Sequence, residues 1–146
     1  MMPRVVLPLP RVPRVSDTQR FLLLSITIGV FAGLLVVCFH MAIDAVSWWT
    51  LGGSAGRSPV TTVLSPMLGG GVAGLLVLFV FREAAGSGLI HTKAALYINE
   101  GYIPFSTVLG KFVACATSIG SGNSLGPEDP ALQMGAGVAS ALGRAF

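Results

Sequence analysis

Two adjacent carboxylates, Glu128 and Asp129, close the stretch GSGNSLGPEDP (Gly120 to Pro130) inside an otherwise apolar region. Upstream, GSGLI (Gly86 to Ile90) has a similar glycine-rich turn with one hydroxyl, Ser87. Each turn reads as the entrance to a helix. The first N–H groups of a helix have no internal partner, and the macrodipole adds about half a positive charge there. Such an end binds an anion without a cationic side chain. Ser87 adds a hydroxyl donor, and Pro130 suits the first position of a helix, where its missing N–H costs nothing. A carboxylate at such a mouth competes for the donors an anion would use. When charged it occupies the site, and when neutral it leaves, which is the chemistry of a gate. Acidic residues also cap helix starts, so the residues alone leave capping open beside gating.

Other chemistries find less support. Gly120, Gly122 and Gly126 give a glycine pattern one residue longer than the dinucleotide fingerprint, with no β-rich strand before it and no G-K-[ST]. No nucleophile–base–orienter set suggests an enzyme. Cys38, Cys115, His40 and His91 lie at no metal-ligand spacing. No cofactor or metal is expected.

The elements that must position these residues belong to a membrane protein. The 146-residue chain is 53% hydrophobic and 10% charged, against roughly 25% charged in soluble domains. Its 19 glycines fit transmembrane helices, where glycine is more frequent. Residues 1–20 form a basic arm with Arg4, Arg11, Arg14 and Arg20 against Asp17, and Pro3, Pro8, Pro10 and Pro13 make it non-helical. It reads as a cytoplasmic arm that orients the first helix, in preference to a nucleic-acid-binding segment.

An apolar segment from Phe21 to about Leu51 would reach roughly 46 Å as a helix, against a hydrocarbon core of about 30 Å, so it must tilt or enter the interface. Trp48 and Trp49 suit an interfacial anchor. Gly29 and Gly33 form a G-x-x-x-G step for helix packing. After a turn holding Arg57, a second segment from about Val60 to Phe81 completes a hairpin, with Gly69, Gly70, Gly71 and Gly74 suggesting tight packing and Pro66 a bend. The basic residues predict that the N-terminus and residues 82–93 face the cytoplasm. A third apolar run, Phe105 to Ile119 with Lys111, is too short to span upright, and a small-residue helix is predicted over 131–146. Short segments broken by Gly, Ser and Pro at membrane depth occur where backbone is buried in protein or lines a cavity. In transporters they mark the substrate site.

GSGLI, then Lys111, then GSGNSLGPEDPALQMGAG, in that order, resemble the CLC family of chloride channels and chloride/proton antiporters. In that family a GSGIP segment supplies a chloride-coordinating serine and a G(K/R)EGP segment supplies the gating glutamate. LGPEDPALQMGAG, with Gln133 and Gly135, is close to the family's LGREGPTVQIGG run. The resemblance implies an all-α integral membrane fold, the N-terminal part of an inverted-repeat transporter with tilted and broken helices. Residues 21–146 would form that incomplete transport core. Ser87 would donate to chloride, helped by the backbone of Gly88, Leu89 and Ile90. Glu128 would be the gate, above the helix start that includes Asp129 and Pro130, and Lys111 would add positive potential near the pathway.

Three departures stand out: Pro127 replaces a basic residue and Asp129 replaces a glycine, which reduce that potential, and Ile90 replaces a proline. The chain is also several times shorter than the family's core. The implied partners are chloride or a similar anion, protons if coupled, the bilayer and, for the full-length protein, a second copy; no nucleic acid is implied. The implied location is a plasma or inner membrane with a multi-pass core. The alternative is a truncated membrane fragment that transports nothing and acts only through helix packing.

Overall fold

The computed structural model describes residues 15–52 and 59–145. Arg4, Arg11, Arg14 and the prolines of the arm lie outside the described residues, as do Arg57 and Phe146. Five α-helices follow one another: α1 Val15–Leu51, α2 Pro59–Phe79, α3 Gly88–Ile98, α4 Phe105–Gly120 and α5 Glu128–Ala145. A single 3-10 turn, Arg82–Ala84, joins α2 to the loop before α3. No strand occurs among the described residues. α1 starts at Val15, so the end of the expected arm is already helix.

α1 has 37 residues and reaches roughly 55 Å. Its apolar side chains point outward along most of its length, among them Phe21, Leu23, Ile26, Val30, Leu34 and Met41. Near its far end Trp48 and Trp49 are 72% and 84% exposed. α2 exposes Val63, Met67, Leu75 and Leu78 in the same way. Both helices are long and apolar enough to cross a membrane. Apolar surface of this extent is not left in water, so these faces meet lipid or further protein.

The centre of the structure is α4. It packs on α1, α2, α5 and the 3-10 turn, whereas α1 and α2 touch each other only slightly. The expected hairpin is therefore held together through α4. Phe39, Val108, Ala116, Ile103, Ala95 and Met134 form the core, and the Phe39 and Phe112 rings stack at a tilt, 5.5 Å between centroids. Small residues allow these close crossings. A Cβ at Gly120 would meet Val46 of α1 within 2.6 Å, and one at Gly110 would meet Phe81 at the same distance. The glycine run of α2 is used unevenly: Gly69 lies against Ser121 and Gly70 against Asn123, while Gly71 and Gly74 have nothing within 4 Å. Gly29 and Gly33 are equally open. No packing partner for them is seen among the described residues.

Pro66 lies inside α2, and the helix is stitched to the α4–α5 loop beside it. Ser65 Oγ donates to the Ser121 carbonyl (2.8 Å), and Asn123 Nδ2 donates to the Pro66 carbonyl (3.1 Å). The first bond satisfies a carbonyl beyond the end of α4 that would otherwise be costly in an apolar setting. α3 ends where Glu100 and Gly101 adopt φ of 50° and 78°, and the Gly101 N–H donates back to the Ala95 carbonyl at 2.8 Å. That is a left-handed helix stop, in which Gly101 avoids the Cβ penalty and Glu100 bears it. α5 starts three residues earlier than its apolar pattern suggests, so Pro130 is the third helical residue and not the first. The third N–H of a helix is also without an internal partner, so proline is tolerated there for the same reason.

Candidate anion site

The site is built where the start of α3 meets the start of α5. Gly86 has φ of 91°, which glycine adopts without strain. It turns the chain so that Ser87 stands at the N-cap and the N–H groups of Gly88 and Leu89 point out of the helix end. A Cβ at Gly88 would lie 2.6 Å from the Asp129 carbonyl oxygen and 2.9 Å from Gln133 Cβ. Only glycine lets α3 approach α5 this closely.

Three donors converge at that contact, and one carboxylate takes all of them. Ser87 Oγ donates to Asp129 Oδ1 (2.8 Å), Gly88 N–H to Oδ2 (2.7 Å) and Leu89 N–H to Oδ1 (3.0 Å). This is the arrangement expected for a small anion at a helix N-terminus. Asp129 is the second residue of α5, and its side chain reaches across to α3 instead of capping its own helix. Glu128 is exposed and takes none of these donors; its carboxylate lies over Gly126. Ile90 makes no bond to the Asp129 carboxylate and is 65% exposed, while Pro130 is buried and has no N–H to give.

Lys111, from α4, lies behind the turn with 6% of its surface exposed. Its Nζ donates to the Ala84 carbonyl (3.1 Å) and to the Gly86 carbonyl. It therefore fixes the turn that presents Ser87, and its charge also acts through space on the Asp129 carboxylate. Gln133 stands one turn on from Asp129, 1% exposed, with its Oε1 against Gly88 and without a hydrogen-bond partner.

The structure thus brings Ser87, Gly88, Leu89, Lys111 and Asp129 into one cluster. Two supporting residues carry weaker sequence signals. Glu83 accepts hydrogen bonds from Ser106 Oγ (3.0 Å) and Thr107 Oγ1 (3.3 Å), tying the 3-10 turn to the start of α4. Asn123 anchors the α4–α5 loop to α2. A lone acid after a helix and an asparagine in a glycine loop are common, and only the fold shows what they hold.

The family model described as voltage gated chloride channel matches residues 69–146, more than half of the chain and all of the cluster. The chain belongs to the CLC family. Chloride channel protein CLC-e of Arabidopsis thaliana is 31% identical over 132 residues, covering 82% of this chain and 18% of that protein. A putative ClcB-like chloride channel protein of Ralstonia nicotianae is 26% identical over 124 residues, covering 80% and 29%. Chloride channel protein CLC-a of Arabidopsis thaliana is 29% identical over 133 residues, covering 83% and 17%. This CLC chain spans less than a third of the length of each of these relatives. No solved structure matches it. Its all-helical build, with two helices long and apolar enough to span a bilayer, fits a CLC membrane protein.

Proposed function

We propose that this chain forms the N-terminal part of a CLC chloride transporter and contributes one anion site of its pathway. The observation that carries the reading is the set of three donors, Ser87 Oγ and the Gly88 and Leu89 N–H groups, converging on a single carboxylate beside buried Lys111. A chloride ion needs that same pattern: several neutral donors and nearby positive potential, without a tight cationic partner. Ser87 and the two backbone groups bind the ion, and Lys111 keeps the turn in place. Glu128, exposed at the mouth of α5, is the gate that swings over the site when charged and withdraws when protonated. Proton coupling, a homodimer with one pathway per subunit and a cytoplasmic N-terminus belong to the same reading.

A second reading, a membrane segment that acts through packing alone, is favoured by the open face at Gly29 and Gly33. Chloride efflux from liposomes separates the two. Protein carrying this segment should release chloride, and Glu128→Gln should change both its rate and its pH dependence. Efflux equal to protein-free liposomes supports packing alone. Efflux with rate and pH dependence unaltered by Glu128→Gln removes the gate assignment.

A further inference from the structure

We propose that Asp129 is a built-in occupant of the anion site, a tethered carboxylate that a free anion must displace before it can bind at the start of α3. The inference rests on the reading of the Ser87–Gly88–Leu89 cradle as an anion site and adds a competitor to it. An ordinary helix cap comes from a residue next to the helix it caps. Here the capping carboxylate comes from another helix, more than forty positions later in the chain, and uses both oxygens on three donors. Among the described residues, its own helix receives no hydrogen bond from that side chain.

The surroundings favour exchange with a ligand over a permanent strut. Gln133 is 1% exposed, lies against Gly88, and leaves Oε1 without a hydrogen-bond partner. A buried amide oxygen without a partner is costly, and a half-turn about the last side-chain bond would put the amide's N–H donors where that oxygen lies, against Gly88. With the Asp129 carboxylate withdrawn, Ser87, Gly88, Leu89 and Gln133 would offer a complete donor set to a halide. Lys111, bonded to the Ala84 and Gly86 carbonyls, would supply charge without closing the site. The chain then holds two acids of different standing. Asp129 occupies the cradle in the resting arrangement, and Glu128 stands outside it. Exchange between carboxylate and halide needs no covalent step, only rotation of one side chain.

Chloride titration of the 146-residue chain in lipid nanodiscs, followed by calorimetry with gluconate holding the ionic strength, tests this. The variants are Asp129→Gly, Asp129→Asn, and Asp129→Gly combined with Ser87→Ala. Relieved of an intramolecular competitor, Asp129→Gly should bind chloride at least about tenfold more tightly than the unaltered chain. Asp129→Asn should fall between them, and Ser87→Ala should remove most of the gain. Equal chloride affinity in the unaltered, Gly and Asn chains, still weakened by Ser87→Ala, overturns the role of Asp129 and leaves the cradle as an anion site. Chloride binding that is absent throughout, or indifferent to Ser87, overturns both. Helical circular dichroism accompanies each titration. Asp129→Asn keeps one oxygen, which can serve Ser87 Oγ and the Leu89 N–H while the bond from the Gly88 N–H is lost, so it decides the matter if Asp129→Gly loses the first turn of α3.

Discussion

Gly88→Ala should separate α3 from α5 and dismantle the cradle without touching a charge. The added methyl would lie 2.6 Å from the Asp129 carbonyl oxygen and 2.9 Å from Gln133 Cβ, whereas carbon contacts are optimal near 3.5–4.0 Å. The two backbones must part by about 1 Å to accept it. The Gly88 N–H bond to Asp129, now 2.7 Å, cannot stretch that far and survive. Overpacking of this kind costs about 1–3 kcal/mol, and loss of one charge-assisted hydrogen bond adds about 1.5–3 kcal/mol. A net loss of about 2–4 kcal/mol follows once partial relaxation is allowed. The assay is unfolding of the chain in mixed micelles by increasing SDS, followed by helical circular dichroism. Gly71→Ala is the control, since nothing lies within 4 Å of a Cβ there, and it should leave stability unchanged or raise it by up to about 1 kcal/mol through helix propensity. Equal stability of the Gly88→Ala and Gly71→Ala chains would refute the claim that the α3–α5 contact is close and built around glycine.

Lys111→Met should lower stability by about 2–4 kcal/mol in the same assay, because it leaves the Ala84 and Gly86 carbonyls without their buried donor. A Lys111→Met chain as stable as its parent would show that those bonds do not hold the turn. Asn123→Ala should cost about 1–2 kcal/mol by removing the amide's bonds to the Pro66 and Ser118 carbonyls, and should speed proteolytic cleavage in the 121–127 loop. Unchanged cleavage would mean that the loop is held by other contacts.

The order of the site residues is readable along the chain: a serine in a glycine turn, a lysine in an apolar run, then an acidic pair at a helix start. Their chemistry follows from helix ends alone. Which of the two acids turns toward the donors is not readable there. Consecutive helical residues point about 100° apart, so the choice depends on how α5 is rotated against α3. That rotation is set by Gly88, Gln133 and the other residues at the crossing, contacts between segments far apart in sequence. The apolar pattern places the start of α5 too late for a local reason: proline is tolerated at the first and the third position alike. The glycines of α2 show the opposite limit. Gly69 and Gly71 belong to the same glycine run, yet one is pressed against Ser121 and the other is open. Composition reports that close approach is possible, and only the partner decides where it occurs.

The central claim is that the Ser87–Gly88–Leu89 cradle lies on a chloride pathway, and chloride efflux from liposomes bearing protein with this segment tests it most directly. Efflux that exceeds protein-free liposomes and falls at least about tenfold with Ser87→Ala is the predicted result. Efflux that is identical with Ser87 and with Ala at position 87 would contradict it.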